Sequence, residues 1–272
     1  MIAMDWGKGA FALLLVAAIV SLCVGIYARL LASVRAGRGK VWSAPLGLPD
    51  LLVSGVLASW LGAMAVSGFL RAEPATPLTA RALVDSAALF VAIVGVISVF
   101  LQARQIPVSR LFGLRPANLL SLLKRGLGLF IASLPLVLFC VAVVHLVVGQ
   151  EMEMQEIAKY ILDAARHADW SRFLLAAGVA AVVAPATEEF LFRGYFYGVL
   201  RRYVGVIPAM LLTSLLFAAI HMNGPVFLPL FVLAVCLTLA YEATGSLWVP
   251  MLMHALFNGV MIGMMFYTAQ HP

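Results

Sequence analysis

The chain contains few charged residues. Asp, Glu, Lys and Arg together make up 11% of its 272 residues, whereas hydrophobic residues make up 64%. Soluble domains are usually about 25% charged and about 45 to 50% apolar. The shortage of charge therefore excludes an ordinary soluble domain, and the mean hydropathy of +1.04 indicates an integral membrane protein.

Cysteine is also scarce. Cys23, Cys140 and Cys236 stand singly in apolar runs, and the chain has no C-x-x-C pair. This pattern gives no disulfide framework, so we interpret the three residues as small buried hydrophobic side chains. The chain also lacks a clear internal repeat, which weakens any interpretation as a transporter built from inverted halves.

Long apolar runs, in contrast, recur along almost the whole chain. A helix of about 17 to 25 such residues crosses the roughly 30 Å of bilayer hydrocarbon. The runs predict an all-α, polytopic membrane helix bundle with about eight transmembrane helices. The predicted spans are 10–28, 51–70, 84–101, 127–149, 172–200, 206–222, 225–243 and 247–267. We expect the first to be retained, because no small-x-small cleavage site follows it.

Basic residues cluster in alternate connections between these spans. The first, third and fifth connections carry Arg29, Arg35, Arg38 and Lys40; Arg104, Arg110, Arg115, Lys124 and Arg125; and Arg201 and Arg202. The positive-inside rule places these connections in the cytoplasm and both termini outside. The net charge of +6 then reflects topology and contact with anionic membrane lipids, and it gives no case for nucleic acid.

Other charged residues lie near the predicted membrane boundaries. We expect Glu242, His145 and Asp85 to be solvated or to snorkel towards water. The connection around residues 150–171 is long enough for an interfacial helix, and 154–165 has mixed amphipathic character.

The last third of the chain places ionisable and amide residues inside apolar segments. They form three spaced groups, Glu188-Glu189-x-x-x-Arg193, Phe217-x-x-x-His221 and His254-x-x-x-Asn258. Each charged group at the centre of a membrane helix costs roughly 2.5 to 3.5 kcal/mol on insertion scales. We therefore expect these residues to have partners or a chemical role.

The two neighbouring glutamates cannot share one role, because adjacent side chains on a helix point about 100° apart. Glu189 and Arg193 are four residues apart and are predicted to form an ion pair, which leaves Glu188 to face a cavity. Pro185 lacks an N–H and favours a local bend beside these carboxylates. His221 and His254 come from different helices near their ends, and we expect both to converge on Glu188.

These segments resemble the three motifs of the CPBP family. The resemblance rests on Glu188-Glu189-Phe-Leu-Phe-Arg193-Gly194, on Phe217-Ala-Ala-Ile-His221, and on the stretch from Thr244 through Trp248 and His254 to Asn258. The family comprises type II CAAX prenyl endopeptidases and bacterial relatives linked to bacteriocin processing and self-immunity. The motifs lie between about residues 170 and 270. In addition, Leu111-Phe-Gly-Leu-Arg-Pro116 resembles a stretch often seen ahead of this domain.

The resemblance implies a division of the chain and an activity. Residues 126–272 would form the catalytic membrane domain, and residues 1–125 would supply N-terminal transmembrane helices and basic cytoplasmic loops. The implied activity is an intramembrane endopeptidase that hydrolyses a peptide bond of a membrane-associated or lipidated protein or peptide.

The implied site residues have chemistry that suits this reaction. Glu188 would be the general base that takes a proton from water, and His221 would orient or polarise that water. His254 and Asn258 would donate hydrogen bonds to the developing oxyanion. Behind them, we expect supporting roles for Glu189, Arg193 and Phe217.

A metal-dependent version uses the same residues. Glu188, His221 and His254 could supply three ligands to a zinc ion, with water as the fourth. A metal-free glutamate mechanism fits these residues equally well. The sequence contains no H-E-x-x-H, G-x-S-G or G-x-G-D motif, so the other intramembrane protease chemistries have no motif here.

Two other functions remain open on the sequence alone. One is a catalytically weak binding, scaffolding or immunity protein of the same family. The other is a proton-coupled transporter, because intramembrane Glu and His residues also serve as proton relays.

Overall fold

The computed structural model describes residues 6–70, 77–149 and 154–271, and all regular secondary structure in these ranges is helical. Five long helices have regular α geometry along most of their length. They are α1 (Trp6–Ser33), α2 (Leu48–Phe69), α3 (Ala80–Ala103), α11 (Gly224–Thr244) and α12 (Trp248–Gln270). A further long helix, α5 (Leu119–Val148), follows a single turn, α4 (Val108–Leu111). The remaining helices are α6 (Glu156–Arg166), α7 (Trp170–Gly178), α8 (Ala184–Glu189), α9 (Tyr197–Val204) and α10 (Val206–Ala219).

Seven helical segments in the described ranges are long and apolar enough to cross a membrane. They are Leu13–Arg38, Leu48–Phe69, Ala80–Ala103, Leu119–Val148, Trp170–Val204, Gly224–Thr244 and Trp248–Gln270. The prediction of an all-α, polytopic membrane bundle is thereby confirmed, and each segment corresponds to one of the predicted spans.

The sixth predicted span, 206–222, is shorter than expected. Helix α10 has 14 residues, or about 21 Å at 1.5 Å per residue, which falls short of the hydrocarbon core. It stops because the chain turns before the end of the apolar run. Met222 adopts a positive φ of 49°, and the Asn223 side chain caps the start of α11. His221 therefore lies in the turn that follows a short helix.

Helix α11 lies at the centre of the bundle. More than half of its apolar segment is buried within the protein (56%), against 11% to 33% for the other six spans. It packs against α1, α5, α10 and α12, while α12 also packs against α5 and α6. The outer helices α1, α2 and α3 leave many large apolar side chains exposed, as expected for surfaces that contact lipid. The helices α10 and α12, which carry the second and third motifs, thus both pack against the most buried helix of the bundle.

The basic connections meet at one end of the bundle. The backbone N–H of Lys40 donates to the carbonyl of Glu242 at 2.8 Å, and that of Leu247 donates to Phe112 at 3.1 Å. Arg201 Nη1 also donates to Ser43 Oγ at 3.1 Å. The first, third and fifth connections therefore share an end with the α11–α12 turn, as an alternating topology requires. Which side of the membrane this end faces stays a prediction.

The expectation that Glu242 is solvated was wrong. Its side chain is 0% exposed and accepts hydrogen bonds at 2.5 Å from both Tyr197 Oη and Arg201 Nε. Gly39 packs so closely that a Cβ atom there would lie 2.1 Å from Glu242 Oε2. The last turn of α11 is covered by the first connection, and neighbouring chain segments supply the partners that water would otherwise provide.

Asp50 is a second buried carboxylate at this end of the bundle. It is 0% exposed and forms an ion pair with Arg104. No pattern in the sequence singled it out. Asp85, in contrast, lies at the surface with Arg81 Nε at 3.6 Å, and both side chains are more than two-thirds exposed. This exposed position is compatible with a solvated or snorkelling role for Asp85, which stays a prediction.

The predicted orientation can be checked with two exposed positions. In a background whose three cysteines are replaced by alanine, we expect Arg38→Cys to lie in the cytoplasm and His167→Cys outside. A membrane-impermeant maleimide should label only His167→Cys in intact cells, and both variants after permeabilisation. Labelling of Arg38→Cys alone in intact cells would mean that the topology is inverted.

Candidate active site

The two glutamates lie in a long helical segment, Trp170–Val204, whose backbone is irregular on both sides of them. A π-helical turn, Val179–Val183, precedes α8, and a second, Phe190–Phe196, follows it. Pro185, the second residue of α8, has no N–H, and the N–H of Ala184 donates to the carbonyl oxygen of Val179, five residues back. The wider π turn thus accommodates the proline, and the predicted bend beside it stays a prediction. Such turns are frequent at functional sites.

Glu189 forms the predicted ion pair with Arg193. Arg193 Nη1 lies 2.8 Å from Glu189 Oε1, and the two side chains are 2% and 0% exposed. The same oxygen lies 2.8 Å from Nδ1 of His254 on α12. The fully buried carboxylate of Glu189 therefore has one partner on its own helical segment, Arg193, and one on α12, His254, which is 65 residues further along the chain.

Glu188 faces a cavity, as predicted from its position one residue away. The cavity has a volume of about 480 Å³ and is lined mainly by apolar side chains of α3, α6, α11 and α12 and of the π turn Val179–Val183. The side chain of Glu188 is 17% exposed, and its Oε2 lies 3.9 Å from His254 Nε2. His254 consequently has a carboxylate on each side of its ring, Glu189 at Nδ1 and Glu188 at Nε2.

His221 reaches the same cavity from the turn after α10. Its Nδ1 lies 2.7 Å from the carbonyl oxygen of Phe217. A carbonyl can only accept, so Nδ1 carries the proton in this contact, and Nε2 of the neutral ring is left as an acceptor. The His254 contact with Glu189 has the same consequence. The two rings thus keep Nε2 available for water or a substrate.

Phe217 packs between the two imidazoles. Its ring centroid lies 4.9 Å from that of His221 and 5.8 Å from that of His254. The guanidinium carbon of Arg193 lies 4.3 Å from the same ring centroid. Phe217 is 0% exposed, so it contacts three of the polar motif residues and separates them from the rest of the apolar core.

Asn258 contacts the first π-helical turn. Its Nδ2 donates to the carbonyl oxygen of Ala180 at 2.7 Å, which ties α12 to the segment that carries the glutamates. An amide nitrogen has two N–H groups, so one remains after this bond. Asn258 also lines the cavity, and its expected role as an oxyanion donor stays a prediction.

The helix α6 also contributes to the cavity. Residues 154–165 showed amphipathic character, and α6 buries one face, with Tyr160, Ile161 and Ala164 among the buried residues. Gln155, Glu156 and Ile157 line the cavity beside Glu188. The sequence pattern could indicate the helix but not its neighbour, because the position of an amphipathic helix depends on where the bundle leaves an apolar surface open.

The residues as placed do not form a metal site. Within the described ranges, no three His, Cys, Asp or Glu side chains are arranged to hold a metal ion. The zinc ligand set suggested by the sequence, Glu188, His221 and His254, therefore does not fit a metal in this geometry.

The fold and the site together define a class: a polytopic helical membrane protein that buries a glutamate–histidine cluster beside an apolar cavity. Residues 170–260 match the family model described as type II CAAX prenyl endopeptidase Rce1-like. The resemblance to the CPBP family is thereby confirmed, on the part of the chain that carries all three motifs.

A curated relative supports the same family. The membrane-embedded CAAX protease MroQ of Staphylococcus aureus (strain USA300) is 36% identical over 89 residues, which cover 30% of this chain. The match spans 36% of that relative's length. No solved structure matches the chain.

The two glutamates are expected to respond differently to substitution. Removing one partner of a buried ion pair costs about 3 to 5 kcal/mol, so Glu189→Gln and Arg193→Met should lower thermal stability in detergent. Glu188→Gln should leave stability unchanged or raise it, because a partly buried carboxylate is replaced by a neutral amide. Melting temperatures of the three purified variants check this. If Glu188→Gln is the least stable of the three, the roles of the two glutamates must be exchanged.

Proposed function

We propose that this protein is an intramembrane endopeptidase of the CAAX-protease type. It would hydrolyse a peptide bond of a membrane-associated or lipidated protein or peptide. The observation that carries the proposal is the contact between Glu188 and His254, whose Oε2 and Nε2 atoms lie 3.9 Å apart at the wall of an apolar cavity. The family match over residues 170–260 supports it.

Glu188 is the general base in this proposal. Its carboxylate takes one proton from a water molecule, and the water oxygen bonds to the carbonyl carbon of the substrate. When the C–N bond of the resulting tetrahedral intermediate breaks, the proton passes from Glu188 to the departing amine nitrogen. The apolar wall of the cavity strengthens each of these electrostatic interactions, because it limits competing water.

The histidines and Asn258 act on the water and on the oxyanion. Nε2 of His221 accepts a hydrogen bond from the water and so orients it. In its doubly protonated form, His254 donates to Glu189 from Nδ1 and to the oxyanion from Nε2. The remaining N–H of Asn258 is the second donor. Donors fixed in advance at the developing oxyanion commonly contribute most to acyl-transfer catalysis.

The lining of the cavity favours an internal peptide bond as the substrate. Its ionisable side chains among the described residues are Glu156, Glu188, His221 and His254, and it contains no Lys or Arg. A free C-terminal carboxylate would find no Lys or Arg there and would be repelled by Glu188. An apolar segment of a longer chain fits this lining better, so an endopeptidase is favoured over a carboxypeptidase.

The first 125 residues support the catalytic helices in this proposal. Helix α1 packs against α5 and α11, α2 against α9 and α10, and α3 against α8. The N-terminal part, 1–125, and the catalytic membrane domain, 126–272, are therefore proposed to differ in role. The N-terminal helices enclose the domain and complete its cavity, to which Leu83 and Phe90 of α3 contribute.

The proposed base is tested by Glu188→Gln. We expect turnover to fall by at least about a hundredfold, the usual contribution of general base catalysis. Peptides that accumulate both in a deletion strain and in a Glu188→Gln strain identify the substrate by proteomics, and its cleavage by purified protein then gives the rate. Asp85→Asn, which changes an exposed carboxylate near the start of α3 that does not line the cavity, is the matched control. Near wild-type hydrolysis by a folded Glu188→Gln protein would contradict the proposed role of Glu188 as general base.

The metal-free form of the mechanism has its own test. We expect the purified enzyme to keep its cleavage rate after incubation with 1,10-phenanthroline and dialysis, because the site lacks a three-ligand arrangement. Elemental analysis of the same sample should show no zinc in stoichiometric amount. Loss of activity on chelation, with recovery on adding zinc, would show that the metal-dependent version is correct.

A further inference from the structure

A second cavity lies at the basic end of the bundle, away from the catalytic residues. It has a volume of about 310 Å³ and lies between the α4–α5 connection and the α11–α12 turn. Its polar lining includes Arg115, Asn118, Ser121, Arg125 and Ser246. None of its lining residues is shared with the catalytic cavity. It includes part of the stretch Leu111–Pro116, to which the proposed proteolysis gives no role.

Two arginines give this cavity a positive charge that is not compensated. Arg115 and Arg125 are exposed, neither forms a salt bridge within the described ranges, and no Asp or Glu lines the cavity. Other arginines at the same end do have partners, since Arg104 pairs with Asp50 and Arg201 with Glu242. The two guanidinium groups are therefore left to bind an anion.

Backbone contacts fix the walls of the cavity. Gly113 has a φ of +61°, and a Cβ atom there would lie 2.0 Å from the carbonyl oxygen of Gly245. Ser246 Oγ donates to the carbonyl oxygen of Gly113 at 2.6 Å. The α4–α5 connection and the α11–α12 turn are thus held in direct contact, and the cavity between them is a formed feature of the fold.

Neighbouring side chains place this cavity at the level of lipid headgroups. The Trp248 indole donates from Nε1 to the carbonyl oxygen of Leu114 at 3.1 Å, and the side chain is 41% exposed. Exposed Trp residues with one polar contact are typical of the membrane–water interface. Leu119 and Leu120, 44% and 63% exposed, begin the apolar spanning helix α5 beside it. A polar, basic cavity therefore borders an apolar surface that faces lipid.

We propose that this cavity binds the phosphate group of an anionic phospholipid. The guanidinium groups of Arg115 and Arg125 would contact the phosphate oxygens, which the planar fork of arginine binds in pairs. The acyl chains would lie along the exposed leucines of α5. Basic pockets between membrane helices on the cytoplasmic side are suited to such headgroups. The site is independent of the proposed proteolysis.

Native mass spectrometry of the full-length protein tests the proposal. The protein is released from detergent in the presence of phosphatidylglycerol, phosphatidylcholine or inorganic phosphate, and the retained ligand is titrated. The test variant is Arg115→Gln/Arg125→Gln. The matched control, Lys124→Gln/Arg202→Gln, removes the same charge from exposed positions at the same end that do not line the cavity.

We expect wild-type protein and the control to retain phosphatidylglycerol in preference to phosphatidylcholine. The Kd of the test variant for phosphatidylglycerol should rise about thirtyfold, which is about 2 kcal/mol, or about 1 kcal/mol for each basic residue. The lysine variant, Arg115→Lys/Arg125→Lys, should bind between the two. If the double variant does not fold, Arg115→Gln and Arg125→Gln alone should each weaken binding about fivefold.

Two results would overturn the proposal. One is equal retention of phosphatidylglycerol by the test variant and the control, which would mean that binding follows overall charge and not this cavity. The other is arginine-dependent binding of inorganic phosphate without any preference for phosphatidylglycerol over phosphatidylcholine, which would make free phosphate the ligand. Because binding is measured without substrate, the outcome is separate from that of the Glu188→Gln experiment.

Discussion

The site depends on one buried carboxylate oxygen. Glu189 Oε1 is shared by Arg193, one turn along the same helix, and by His254 on α12, each at 2.8 Å. A buried charge is strongly destabilising without partners, so this oxygen fixes the packing of α8 against α12. It also fixes the His254 ring, with Nδ1 towards Glu189 and Nε2 towards Glu188. The relative position of Glu188 and the His254 imidazole is therefore set by a residue that does not face the cavity.

The irregular backbone around α8 serves the same arrangement. The first π turn accommodates Pro185, and its Ala180 carbonyl oxygen accepts a hydrogen bond from Asn258. Helix α12 is therefore held at two residues one helical turn apart, His254 and Asn258. The two adjacent glutamates can then have different roles. Glu189 pairs with Arg193 and His254 in the protein interior, and Glu188 lines the cavity. Substrate chemistry at membrane depth needs such a protein-lined polar pocket, because irregular backbone and charge are not tolerated against lipid.

A buried carboxylate also joins the N-terminal part of the chain to the helices that carry the motifs. Glu242 binds Tyr197 and Arg201 while its carbonyl accepts from Lys40. These contacts tie the first connection to α9 and α11 at the basic end. Arg115 and Arg125 remain at that end without such partners, at the level where Trp248 marks the membrane interface. Charge at this end is therefore either neutralised inside the bundle, as at Glu242, or placed at its rim, as at Arg115 and Arg125.

The sequence by itself determined the helical class, the bounds of most spans, the Glu189–Arg193 pair and the exposure of Glu188. These features depend on apolar length and on spacing within one helix, which the order of residues fixes directly. Only the tertiary structure decided that His254 binds Glu189, that Asn258 binds Ala180, that α10 stops short of a full span, and that Glu242 is buried. The partners in these contacts are far apart along the chain or lie on other helices, and helix periodicity carries no information about which helices become neighbours.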